Sequence, residues 1–239
     1  MIDSALSDQD TDRLIHSIDR LSQHGLREFA ITGGVAIAFH LARATGLPGN
    51  RRLHDLDIVV ASAGELSPKL ADAFLISHTH PEARPGRMLL QVVDPITALR
   101  VDIFGAYGDT LARSQTLAFR GDPVRFVSPA DLTARLAALL LDLGLRESVP
   151  AKHARDFDTL SAACPLDDAE TAWRDHRRQR HPEGFTEACQ MVRELIGEHR
   201  HLLVDAPALR GGHSCPQCRE SAVFKLARDE EIAALLGYR

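Results

Sequence analysis

From Ser7 to Gly25 the apolar residues Leu14, Ile15, Ile18 and Leu21 recur every three or four positions, the repeat that puts side chains on one face of a helix. Gly25 stands where a glycine commonly ends such a helix. The period then changes. REFAI (27–31) predicts a short strand, and TGGVAIAFHLARA (32–44) returns to helical spacing behind a pair of glycines. TGLPGN breaks that helix, and LDIVV (56–60) is the next strand.

SPKLADAF (67–74) has a serine at a helix-capping position and a proline at the first helical one, so it predicts another helix. Three strand-like runs follow, FLIS, RMLLQVVD and RVDIF. A hairpin, TLAF and VRFV joined by RGDP, then leads to Ser128-Pro129, a second helix start. From there to about Val204 every periodic segment reads as helix. The tail from Asp205 carries APALRGGHSCPQCRE and a last short helical run, LARDEEIAALLG.

The pattern therefore predicts an α/β (α+β) protein, a mixed sheet flanked by helices and followed by an all-helical C-terminal part. The expected boundaries are 1–127 for the sheet-bearing core, 128–204 for the helical domain and 205–239 for the tail. No internal repeat stands out.

Composition changes little. With 239 residues, 44% hydrophobic and 26% charged, the chain is an ordinary globular one with ample core. A net charge of −5 argues against coating nucleic acid by bulk electrostatics. Local basic clusters remain, Arg51 with Arg52 and RDHRRQRH at 174–181; the latter reads as a solvated face or as a grip on an RNA backbone. The acidic start lacks a signal-peptide pattern, and the longest apolar run, LAALLLDLGL, is interrupted by Asp142. A cytoplasmic protein without a membrane span is expected.

Asp55 and Asp57 are two apart on a predicted strand, so both point to one face while Leu56, Ile58 and Val60 point to the other. Like charges about 4 Å apart repel by roughly 1 kcal/mol in water and about four times that when partly buried. The pair is therefore either a solvated strand end neutralised by Arg51 and Arg52, or a holder of a divalent cation such as Mg²⁺. Gly33-Gly34 reads either as a tight strand-to-helix turn or as a place where phosphate oxygens reach backbone N–H groups. Asp102 in LRVDIFG is a third acid in an apolar strand, which needs a hydrogen-bond partner or a metal.

Together, the glycine pair at a helix start, the D-x-D on the next strand and the later strand aspartate resemble the nucleotidyltransferase superfamily of DNA polymerase β-like enzymes. Within it, GGVAIAFHLARATGLPGNRRLHDLDIVV is most similar to the abortive-infection, AbiEii-type nucleotidyltransferase toxins. RFVSPADLTARLAAL and KHARDFDTL resemble that family's later helical segments, so the likeness covers about residues 27–163. The resemblance implies a nucleotidyltransferase core in which Gly33 and Gly34 hold the triphosphate of an NTP and Asp55 and Asp57 bind Mg²⁺. It implies Asp102 as the third acid, completing the metal site or acting as base. Arg135 stands where relatives often carry a lysine against the nucleotide.

Lys152, Arg155, Asp156 and Thr159 share a helical face by spacing. That face is either solvated or, as the resemblance implies for Lys152 and Asp156, part of the active site. His40 shares a helical face with Gly33 and is either packed or within reach of the site. Cys215 and Cys218 form a knuckle-like C-x-x-C that reads as a structural Zn²⁺ site, with His213, Cys189, Cys164, His199 or His201 as further ligands, or as idle reduced thiols. Redox use lacks the βαβ setting.

The resemblance thus implies metal-assisted transfer of a nucleoside monophosphate to an acceptor hydroxyl. An RNA or tRNA acceptor and a cognate antitoxin partner are implied by the toxin likeness. A small-molecule acceptor of the aminoglycoside type, a protein acceptor, or a silent nucleotide- or partner-binding relative are the alternatives.

Overall fold

The computed structural model describes residues 5–46, 51–79, 88–143 and 149–204. They fall into two compact units that divide between Val127 and Ser128.

In the first unit, α1 (Asp8–Gln23) starts where the Ser7 hydroxyl accepts the N–H of Asp10, with Asp8 and Asp10 at the positive end of the helix dipole. Leu14 and Leu21 are fully buried from it. Gly25 follows with φ 92°, which a side chain would resist.

Seven strands follow: β1 (Ala30–Thr32), β2 (Asp55–Val60), β3 (Leu75–Thr79), β4 (Met88–Asp94), β5 (Leu99–Gly105), β6 (Gln115–Phe119) and β7 (Asp122–Phe126). They form one mixed sheet in the order β3-β4-β5-β2-β1-β7-β6. β2 runs parallel to β5 and β1 parallel to β7, and the other neighbours are antiparallel. The mixed α/β architecture expected from the periodicity is the one adopted.

Helix α2 (Gly33–Thr45) leaves β1 without a loop and packs on β1 and β2. Its Phe39 meets Phe119 edge-on at 4.7 Å and Phe126 at 4.8 Å, which joins the hairpin to the sheet centre. The helix expected over 67–74 shrinks to α3 (Leu70–Ala73). Ser67 and Pro68 form a turn ahead of it, and Phe74 turns extended to bury its ring before β3.

The sheet alternates sharply. Leu56, Ile58, Val60, Leu99, Val101 and Ile103 are fully buried on one face, and Asp55, Asp57, Arg100 and Asp102 stand on the other. Helix α1 is tied to both strands that matter. Asp10 accepts the Leu53 N–H at 3.2 Å just ahead of β2, and Arg13 Nε donates to the Thr97 carbonyl at 3.1 Å between β4 and β5. Ser17 Oγ donates to buried Asp94 at 2.9 Å.

The second unit is α4 (Pro129–Leu140), α5 (Ala151–Ala163), α6 (Leu166–His176) and α7 (Phe185–Glu198). It is not purely helical: β8 (Val149–Pro150) pairs in parallel with β9 (Leu203–Val204). Ser128 caps α4, and buried Asp131 accepts from Ser128 Oγ at 2.6 Å and from His176 Nε2 at 3.0 Å. Trp173 is fully buried and donates its indole N–H to the Pro182 carbonyl at 3.0 Å.

In the basic run at 174–181 Arg174, Arg177, Arg178 and Arg180 are exposed, as on a solvated face, and part of the run is tied back to the protein. Arg178, Arg180 and His181 all converge on Asp142, whose side chain is 3% exposed, and His181 stacks on Trp173 at 5.8 Å. Asp142, which interrupts the apolar run just past α4, is the reason: a buried carboxylate recruits cations.

Among the described residues no helix is long and apolar enough to cross a membrane.

Candidate active site

The site is built on strand register. Asp57 lies opposite Thr32 of β1 and beside Asp102 of β5, and Asp102 lies opposite Gln91 of β4. A polar row thus crosses four strands on the face away from the apolar core, with Asp55 two residues before Asp57 on the same side.

Above this row β1 turns directly into α2. Gly33 adopts φ 60°, and a Cβ built on it would lie 2.0 Å from Asp57 Oδ2. The Asp57 carboxylate therefore occupies the space a side chain would need. A Cβ on Gly34 would lie 3.2 Å from Arg51 Nε. One carboxylate and one guanidinium thus rest on the bare backbone at the helix start, and glycine is the residue that lets both approach.

Asp102 is 5% exposed and held from two sides. Gln91 Nε2 donates to its Oδ1 at 2.8 Å, and the Gln91 amide oxygen accepts from Ser77 Oγ at 3.0 Å. On the other side Arg100 Nη2 lies 3.3 Å from Asp102 Oδ2 and also donates to Asp55 Oδ2. Asp55 and Arg100 are register partners on β2 and β5, so the guanidinium bridges the two strands.

The structure thus brings Gly33, Gly34, Asp55, Asp57 and Asp102 together. Asp55 and Asp102 meet on one atom, Arg100 Nη2, while Asp57 lies against Gly33. Among the described residues no three His, Cys, Asp or Glu side chains stand as a preformed ligand cluster. The donor set is all oxygen, the chemistry a hard cation such as Mg²⁺ requires.

Arg100, Gln91 and Ser77 were not anticipated. Arg100 was within reach of the sequence, since R-x-D on a strand puts both side chains on one face; Gln91 and Ser77 depend on the register of β3 and β4.

His40 is packed rather than directed at the site. Its Nε2–H donates to the Val127 carbonyl at 2.8 Å. Burial lowers its pKa, against the raising effect of that bond, and the Arg43 charge lowers it further.

Arg135, Lys152 and Asp156 belong to the second unit, where each is half-buried. On the same helix Arg155 and Thr159 are exposed, and Thr159 Oγ1 donates to the Arg155 carbonyl at 2.9 Å. Cys215, Cys218 and His213 lie outside the described residues. Of the other zinc ligands considered, Cys164 and Cys189 are free thiols. Burial, with the charge of Asp168 adding, pushes the Cys164 thiol up to about 11.

No family model and no curated protein matches the chain. Among solved structures it is similar to an antigenic nucleotidyltransferase-like protein from Paracoccidioides brasiliensis, at 17% identity and TM-score 0.44, over 86% of this chain and 98% of that one. It is also similar to the antibiotic-resistance factor ANT(2'')-Ia in solution, at 16% identity and TM-score 0.49, over 80% of this chain and 96% of that one. A crystal structure of ANT(2'')-Ia with adenylyl-2''-tobramycin aligns at 16% identity and TM-score 0.46, over 67% of this chain and 93% of that one.

Proposed function

We propose that the chain is a nucleotidyltransferase whose chemistry is carried by the first unit. The observation that supports this best is the placement of Asp55, Asp57 and Asp102 on one face of the adjacent parallel strands β2 and β5, with Asp57 against the Gly33-Gly34 turn that opens α2. A lone acidic pair at a strand end needs no such turn beside it.

In this reading Asp55, Asp57 and Asp102 would hold Mg²⁺, which when bound supplies positive charge against the phosphates of an NTP. Backbone N–H groups at Gly33 and Gly34, at the positive end of α2, receive the leaving phosphates, with the Arg51 guanidinium beside them. An acceptor hydroxyl attacks the α-phosphorus, the bond to pyrophosphate breaks, and the nucleoside monophosphate passes to the acceptor. Gln91, backed by Ser77, fixes the orientation of Asp102, which suits it as third ligand or as acceptor of the hydroxyl proton. Arg135, Lys152 and Asp156 are assigned supporting roles toward the nucleotide by the motif resemblance alone.

The toxin reading, with RNA as acceptor and an antitoxin as partner, follows the AbiEii-type resemblance. An aminoglycoside-type acceptor follows the shared Gly-Gly and D-x-D layout. Incubation with each α-labelled NTP, Mg²⁺, total tRNA and an aminoglycoside separates them. Label on RNA supports the first, label on the small molecule the second, and label on the chain itself self-modification. Measurable NTP binding with no labelled product under any condition would favour a silent relative and overturn the transferase.

A further inference from the structure

We infer that Arg100 is a built-in counter-cation for the acid site, which a divalent metal must displace from Asp55 and Asp102 before it can bind. This rests on the metal-dependent reading above and assigns a role to a residue which that reading does not use.

The sheet places Arg100 beside these acids. It is the register partner of Asp55 and stands two residues before Asp102 on the same strand face, so its guanidinium is delivered to both carboxylates by the sheet itself. It takes an oxygen from each. Three carboxylates on adjacent strands repel one another unless a positive charge lies among them, and Arg100 supplies one in the absence of metal.

Asp55 and Asp102 converge on one atom, Arg100 Nη2, which stands where a metal shared by the two would be held. Asp102 is fixed, its side chain 8% exposed and its other oxygen bound to Gln91. The Arg100 side chain is 47% exposed, and its long stem can swing into water at little cost. Arg100 is therefore the element that yields. Once released, its charge lies beside a site built for phosphates, where a bidentate guanidinium finds a ready partner. Metal alone must pay the displacement; metal arriving with a triphosphate gives Arg100 a new acceptor.

The test is a titration of Mn²⁺, followed by electron paramagnetic resonance, into the full chain without nucleotide. Arg100→Gln removes two ion pairs whose Arg100 end is half-exposed, so its Mn²⁺ affinity rises about tenfold over wild type, roughly 1.4 kcal/mol. The metal-free variant melts at a lower temperature than wild type, and Mn²⁺ restores it. Arg100→Lys, which keeps a charge but not the fork, binds Mn²⁺ with intermediate affinity. Wild type that binds Mn²⁺ as tightly as Arg100→Gln, or more tightly, overturns the counter-cation role while leaving the metal site standing, provided Asp57→Asn abolishes binding. Absence of Mn²⁺ binding in both wild type and Arg100→Gln overturns the metal-dependent reading as well.

Discussion

Adjacent glycines at the start of α2 carry opposite expectations. In Gly33→Ala the new Cβ meets Asp57 Oδ2 at 2.0 Å, Cγ at 2.7 Å and Cβ at 2.9 Å. Rotating the Asp57 side chain relieves the first two contacts but not the third, because that Cβ is fixed to the backbone of β2. The backbone at φ 60° adds about 1–2 kcal/mol for a residue with a Cβ. Forcing β1 and β2 apart adds about 1–3 kcal/mol, the usual cost of overpacking. The sum is a loss of about 2–5 kcal/mol. In Gly34→Ala the three atoms nearest the Cβ all belong to the Arg51 guanidinium, at 3.2–3.3 Å, the far end of a flexible side chain that can move aside. Helix propensity offsets that shift by up to about 1 kcal/mol, so stability stays near wild type or rises slightly. Urea unfolding followed by far-UV circular dichroism checks both. Equal stability of the two variants, or a Gly34→Ala that unfolds as readily as Gly33→Ala, would refute the packing of Asp57 against Gly33.

In the second unit, burial pushes the Asp142 carboxyl up, but the hydrogen bonds from His181 and Arg180 and the charge of Arg178 outweigh it and leave it below the ordinary carboxylate range. Its contribution is therefore fully present above about pH 4 and is lost as pH falls through the lower folded value. Asp142→Asn should cost about 2 kcal/mol near neutrality, the scale of hydrogen bonds to a charged group, and should flatten the acid limb of a melting-temperature profile; an unchanged acid limb would contradict it. At Cys164 the thiol raised to about 11 leaves about a hundredfold less thiolate at pH 8 than an ordinary cysteine, so alkylation mapped by mass spectrometry should be slower in that proportion. Labelling of Cys164 at the rate of a free thiol would show that the site is open to water.

Much of this was legible along the chain, and the reason is local. The Ser7 cap and the alternation at Asp55, Leu56 and Asp57 depend on residues a few positions apart, and so does the strand-to-helix turn at Gly33. What was hidden depends on pairing across the sheet or between helices. Gln91 reaches Asp102 only because β4 and β5 meet in one register; a slip by one residue would send it to the other face. Arg178, Arg180 and His181 read as a solvated charge run, and the two arginines are exposed, but nothing nearby in sequence reveals that Asp142, just past α4, is buried and holds all three. The helix at Leu70 was overestimated for the opposite reason: good capping chemistry at Ser67 and Pro68 was cut short by the burial of Phe74.

Transfer of label from an α-labelled NTP by wild type and by Asp57→Asn, in the presence of Mg²⁺, tests the acid site most directly. Asparagine keeps the shape that packs against Gly33 and removes the charge, so the variant should melt with wild type and transfer nothing above background. An Asp57→Asn protein that transfers at the wild-type rate would contradict the assignment of this strand pair as the catalytic centre.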